Sequence, residues 1–252
     1  MRAMILRCLI GASFFGASVF GASVFLAAGP AQANPIDDCN QSDDPEKQID
    51  GCTQFLQLDP FSPYVALAYG RRGEAYMRKG DLARAIADFD QAVAIDGGQA
   101  RFYVSRGLAY RDKRDLDRAI ADFSKAIELD SKFGEAFINR CVVYEDKGQA
   151  DLAIADCTAA IAINPKDAVA YNDRGVAREK AGKIDDAIAD YTAAIELDAG
   201  YRDAYANRAV LYEHKGEKDR AVADYRAALA KNPTPQDRKD LEAALKRLGA
   251  AP

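Results

Sequence analysis

Tryptophan is absent from the sequence, histidine occurs once, at position 214, and methionine occurs three times. One histidine excludes a multi-histidine metal centre. No glycine-rich phosphate loop follows a strand pattern, and none of the 39 acidic residues forms a pair that stands apart as a hydrolytic couple. His214 falls in a polar turn and reads as a solvated surface residue. Positive charge is also scarce, with 34 lysines and arginines giving a net charge of −5. That balance lacks the basic surface that nucleic acid requires. The sequence therefore predicts no enzyme, no cofactor, no metal and no nucleic-acid ligand.

Long apolar runs are missing except at the beginning. Arg2 and Arg7 give a positive start, Cys8 to Ala28 is apolar and small, and Ala31-Gln32-Ala33 supplies a small-x-small cleavage pattern. Residues 1–33 are expected to be a signal peptide cleaved before Asn34, which places the protein in the periplasm or outside the cell. The alternative is an uncleaved membrane anchor, since the run approaches the roughly 20 residues that span a bilayer. Ile5-Leu6-Arg7 before Cys8 is not a lipoprotein context. Setting residues 1–33 aside leaves 32 basic residues against 39 acidic ones, a charge of −7. Four cysteines remain, Cys39, Cys52, Cys141 and Cys157. An even number in an oxidising compartment points to disulfides, with three connectivities open.

From Ala66 onward the chain repeats itself. Gly73, Gly107, Cys141, Gly175 and Ala209 recur at intervals of 34, as do Ala85, Ala119, Ala153, Ala187 and Ala221. Two aromatic registers follow the same step: Tyr69, Tyr103, Phe137, Tyr171 and Tyr205, and then Phe89, Phe123, Cys157, Tyr191 and Tyr225. Each unit splits into two amphipathic helices of about a dozen residues. Gly80, Gly148, Gly182 and Gly216 stand between the halves, where a helix ends in a left-handed residue, with Arg114 as the exception. Asp117, Asp151, Asp185 and Asp219 open the second helix. Asp96, Asp130, Asn164, Asp198 and Asn232 close the units.

This pattern resembles the tetratricopeptide repeat (TPR) family of 34-residue helix-turn-helix units. Tyrosine or phenylalanine fills the first aromatic slot in place of tryptophan, and Arg178 replaces the tyrosine of its sister units, which suggests local repacking in the fourth. The resemblance implies an all-α, right-handed solenoid of antiparallel helix hairpins. Its parts are a half repeat and linker at 34–65, five full repeats at 66–99, 100–133, 134–167, 168–201 and 202–235, and a capping helix at 236–252. Leu241, Leu245 and Leu248 lie on one face of that last helix.

Every unit carries an arginine and, sixteen residues later, an aspartate: Arg72 with Asp88, Arg106 with Asp122, Arg140 with Asp156, Arg174 with Asp190, and Arg208 with Asp224. Antiparallel helices bring such positions together, so the ten residues read as a structural ladder, within or between units. The family implies that the first helices line a concave groove for a peptide or protein segment. In this chain that groove comprises Glu74, Met77, Arg78, Arg101, Val104, Leu108, Arg111, Ile138, Val142, Glu145, Asn172, Val176, Glu179, Val210 and Glu213. It runs from basic and apolar early to acidic late. Leu108, Val142, Val176 and Val210 form an apolar row that is either a ligand strip or partly covered by neighbouring helices. The implied function is a non-catalytic scaffold that binds a protein or peptide ligand. The alternative is a structural part of a cell-envelope assembly, in contact with the membrane only if residues 1–33 are retained.

The repeat register also gives the cysteines addresses. Cys141 holds the small slot where the two helices touch and Cys157 replaces the facing aromatic, so the pair is placed either to bond across the hairpin or to remain as two buried thiols. Cys39 and Cys52 bracket the half repeat, where a bond would pin the N-terminus.

Overall fold

The computed structural model describes residues 35–41 and 43–251. The expected signal peptide or anchor at 1–33 lies outside the described residues. Among the described residues there are thirteen helices and no strands, and no helix is long and apolar enough to cross a membrane.

Five hairpins follow one plan. They are α3 (Val65–Arg78) with α4 (Leu82–Ile95), α5 (Ala100–Asp112) with α6 (Leu116–Leu129), α7 (Gly134–Asp146) with α8 (Ala150–Ile163), α9 (Ala168–Lys180) with α10 (Ile184–Leu197), and α11 (Arg202–His214) with α12 (Lys218–Leu229). Two further helices precede them, the short α1 (Pro35–Gln41) and α2 (Pro45–Leu58), and α13 (Pro235–Arg247) follows them. Each helix packs on its sequence neighbour. First helices of successive units also touch, α3 on α5, α5 on α7, α7 on α9 and α9 on α11, whereas no comparable contact joins the second helices. The array therefore curves with its first helices inside.

Local chemistry sets the boundaries. Asp81 and Asp115 accept hydrogen bonds from the backbone N–H groups of Arg84 and Arg118, Asp167 does so from Val169 and Ala170, and Thr234 forms a capping box with Asp237. Asp96, Asp130, Asn164 and Asp198 each accept the N–H two residues on, which turns the chain into the next unit. The fifth unit departs from this pattern: α12 ends earlier, and Asn232 is left-handed with φ of 50°.

Between the two helices of each hairpin the chain makes a Schellman turn, seen in the hydrogen bond from Asp115 N to Tyr110 O at 2.8 Å. The turn demands positive φ, which is 75° at Gly80 and 65° at Arg114. The backbone thus imposes on an arginine the conformation that the sister units give to glycine, at a cost of about 1–2 kcal/mol. Arg114 does reach Asp146 at 3.0 Å, but with 71% of its side chain exposed that pair contributes little. Arg114→Gly is expected to stabilise the protein by about 0.5–1 kcal/mol. A rise in the thermal midpoint checks this, and a fall contradicts it.

The core is built of small residues against rings. A Cβ added at Gly73, Gly107 or Gly175 would stand 2.7, 2.7 or 2.6 Å from the ring of Phe89, Phe123 or Tyr191, so only hydrogen fits there. In the third hairpin the ring is gone. Cys141 and Cys157 are fully buried with their sulfurs 2.13 Å apart. At the other end of the array Leu241 and Leu245 of α13 are buried against α11 and α12, and Leu248 packs at their edge.

The N-terminal segment is more than the second helix of a unit. Seven residues form α1, which packs on both α2 and α3. The Cys39 and Cys52 sulfurs are 2.06 Å apart, and Gln48 Nε2 donates to Cys39 O at 3.0 Å. Allowing for the three extra residues before α3, Cys52 falls in the register of Phe89 and Cys157. The chain thus twice places a cysteine where the other units place a ring, each time with its partner on the facing helix.

Candidate functional site

Charge pairs hold the hairpins together, and the first of these is the arginine ladder, which lies between the first and second helices. Each of the five arginines donates through Nε and Nη2 to both oxygens of its aspartate, as in Arg106 to Asp122 at 2.9 and 2.7 Å. The third arm, Nη1, reaches back to the preceding unit: to Thr53 at 3.0 Å, Asp90 at 2.7 Å, Ser124 at 2.8 Å, Thr158 at 3.4 Å and Thr192 at 2.8 Å. The ladder therefore holds each hairpin closed and also joins it to the one before. Each guanidinium lies beside the aromatic ring three residues earlier, at 5.4 Å for Arg72 over Tyr69 and similar distances elsewhere. All five aspartates are buried. These groups are fully occupied with one another and offer nothing to a ligand.

Arg178 explains the odd fourth unit. In three sister units an arginine of the second helix stacks on a tyrosine of the first: Arg84 on Tyr76, Arg118 on Tyr110 and Arg220 on Tyr212, at 4.5, 4.4 and 4.4 Å. In the fourth unit Arg178 and Asp186 hold those two slots. The cation has moved to the first helix, where it donates to Asp190 at 2.7 Å. Asp190 thus carries two arginines.

Of the fifteen groove positions expected from the sequence, twelve are partly or fully exposed: Glu74, Met77, Arg78, Arg101, Leu108, Arg111, Ile138, Val142, Val176, Glu179, Val210 and Glu213. The other three, Val104, Glu145 and Asn172, are buried and are not surface positions. Val104 packs in the core between the second and third hairpins. Asn172 lies at the contact between α9 and α11 and accepts a hydrogen bond from Asn207 at 3.1 Å. Glu145 is covered because Lys180 of the next first helix closes over it, with Nζ 3.2 Å from Oε2.

The sequence pattern also missed the tyrosine–glutamate pairs inside two hairpins. Tyr191 Oη donates to Glu179 Oε2 at 2.9 Å and Tyr225 Oη to Glu213 Oε2 at 2.8 Å, each across twelve residues. A phenolic rather than a phenyl ring in that register, opposite a glutamate, was the available signal. Burial, reinforced by the neighbouring carboxylate, pushes both phenols up, so each remains a hydroxyl donor. In the third hairpin Cys157 replaces the tyrosine, and Glu145 has no hydroxyl to accept from. Burial raises its carboxyl to about 7 against the opposing pull of Lys180, with Asp173 and Asp146 adding to the rise. Burial likewise raises Asp173 to about 6.

These shifts fix the sign of a pH dependence. Between the ordinary carboxyl value and about 7 the native state keeps a proton on Glu145 that the unfolded chain has lost, so acid favours the fold. Stability is expected to fall as pH rises from 5 to 8, by on the order of 2 kcal/mol. Glu145→Gln is expected to flatten that slope and to be the more stable protein at pH 8. Denaturant midpoints at the two pH values check this, and a wild-type profile that rises with pH contradicts it.

Chemically, the inner face offers partly exposed apolar side chains between charged ones, with no group of three or more metal-ligating residues among the described residues. Tetratricopeptide repeat models match residues 66–98, 100–133, 135–167 and 172–234. No curated protein gives a significant match. Among solved structures, MamA is 28% identical with a TM-score of 0.58 over 67% of this chain and 96% of its own. YrrB, described as a TPR protein with an unusual peptide-binding site, is 24% identical with a TM-score of 0.57, over 76% of this chain and 97% of its own. A tetratricopeptide repeat protein from Parabacteroides merdae is 18% identical with a TM-score of 0.68, over 81% of each chain.

Proposed function

Because the chain belongs to the tetratricopeptide repeat family and its first helices touch along the inside of the curve, we propose that it is an exported, non-catalytic scaffold. It takes a peptide or protein segment along that inner face. The observation that carries this reading is the row Leu108, Val142, Val176 and Val210, one residue per first helix, each only partly buried and flanked by charge. Val142 supports it most, because it packs in none of the buried clusters of the described residues. Burial of such a row by an incoming segment supplies the affinity, and the flanking charges supply orientation. The peptide-binding site in the description of YrrB is a property of that protein and agrees with this reading by analogy of fold. Nucleic acid is not a ligand in this account, and the membrane is a partner only if residues 1–33 are retained.

An affinity pull-down from envelope extract tests the proposal, with the protein carrying Arg101→Glu and Glu179→Lys as control. A partner held by the wild type and released by the double reversal is the expected result. Equal retention by both proteins contradicts the placement on the inner face. Sequencing the N-terminus of the fractionated protein tests cleavage of the export segment: a soluble product beginning at Asn34 is expected, and a membrane-bound product retaining residues 1–33 contradicts cleavage and favours the anchored alternative.

A further inference from the structure

The two ends of the inner face differ in sign. Arg101 and Arg111 stand on α5, and in the registers around them the later first helices carry the partly exposed Asp173, Glu179 and Glu213, with Glu145 buried beneath. Arg101 is exposed and has no partner among the described residues, while Arg111 reaches only the side chains of Asp112 at 3.3 Å and Asn139 at 3.4 Å. Within the glutamate row the neutralisation is uneven. Glu145 has Lys180 at 3.2 Å, and Glu213 accepts from Arg247 Nε and Nη2 at 2.7 and 2.8 Å. Glu179, between them, accepts only the Tyr191 hydroxyl and has no cation among the described residues. That bond fixes its carboxylate in place while leaving it part-exposed, one turn from Val176 and beside the apolar row.

Resting on the groove reading above, we propose that the segment taken by this face is apolar with a lysine or arginine, and that its cation lies over the third to fifth hairpins and pairs with Glu179. Three features converge on that chemistry: an apolar row to receive the segment, a held carboxylate without a cation beside it, and positive charge at the opposite end of the face. A segment with its positive charge toward α5 meets Arg101 and Arg111 and is disfavoured, so the face also sets the direction in which the segment lies. Lys180 and Arg247, already engaged with their own glutamates, leave Glu179 as the point where an incoming cation gains most.

Fluorescence anisotropy with the purified protein and three peptides tests this. The peptides share one leucine–alanine–valine core and differ only in carrying lysine, glutamine or glutamate at the flanking positions. The lysine peptide is expected to bind about fivefold more tightly than the glutamine peptide, with the glutamate peptide weakest, and the spread to narrow as salt is raised. Glu179→Gln keeps an acceptor for Tyr191 and is expected to leave the thermal midpoint unchanged while reducing the lysine preference to about twofold or less. Val142→Asp is expected to weaken all three peptides. If the three bind equally and Val142→Asp still releases them, the charge assignment is overturned and the groove stands. If the lysine peptide keeps its full advantage on the Glu179→Gln protein, the pairing is likewise overturned. If none of the three binds, or all bind regardless of Val142→Asp, both the assignment and the groove reading fall.

Discussion

Replacing Asp190 with alanine is expected to remove about 3–5 kcal/mol of stability, the largest loss from a single ladder residue. Asp190 is 3% exposed and receives Arg174 through two bonds, at 2.9 and 2.7 Å, and Arg178 through a third at 2.7 Å. Its removal strands two guanidiniums that are themselves mostly covered, with 14% and 23% of their side chains exposed. The energy lost is less the attraction given up than the desolvation left without compensation. Asp151, paired with Lys183 at 3.4 Å and 91% exposed, is the control, and its alanine variant is expected to change stability by less than about 0.5 kcal/mol. Since each hairpin touches only its neighbours, the loss should be concentrated there. Hydrogen exchange of α9 and α10 is expected to accelerate more than that of α5 and α6. Urea midpoints for Asp190→Ala equal to those of the Asp151 control would contradict the ladder's role.

The third hairpin yields the second large effect. A bond between Cys141 and Cys157, sixteen residues apart, stabilises by about 3 kcal/mol in the chain-entropy model. The Cys141→Ser, Cys157→Ser protein is expected to lose roughly that amount. The sister hairpins suggest a rescue, because Gly107 against Phe123 fills the same volume without sulfur. Cys141→Gly with Cys157→Phe should therefore recover most of the loss, whereas Cys157→Phe alone forces a ring onto an existing side chain and should cost about 1–3 kcal/mol relative to the rescued pair. Intact mass after alkylation decides whether the bonds form. Blocking of no thiol among Cys39, Cys52, Cys141 and Cys157 without reductant is expected, and blocking of all four contradicts both bonds.

Most of the fold was legible in the sequence because repetition makes each packing demand visible several times. The need for a small residue opposite a ring shows in Gly73, Gly107 and Gly175, and the demand for a left-handed turn shows at Gly80, Gly148, Gly182 and Gly216. Where the chain breaks its own rule, the pattern marks the place without giving the remedy. Arg178 marked the fourth unit, but the doubled pairing on Asp190 depends on where a long flexible side chain comes to rest. The third arm of the ladder, from Thr53 to Thr192, lies between units, and its residue type changes from one to the next. Helix α1 has no register to announce it. The surface was harder to read, since exposure depends on a neighbour thirty-odd residues away: Glu145 holds the same slot as Glu179 and Glu213 and is buried because Lys180 covers it.

Site-specific photo-crosslinking tests the central claim most directly. A photoreactive side chain is placed at Val142, on the inner face, or at Leu129, the exposed end of a second helix, and the protein is irradiated in envelope extract. The account predicts a discrete adduct from position 142, lost when Glu179 is reversed to lysine, and none from position 129. Adducts from position 129 alone, or equal ones from both, would contradict it.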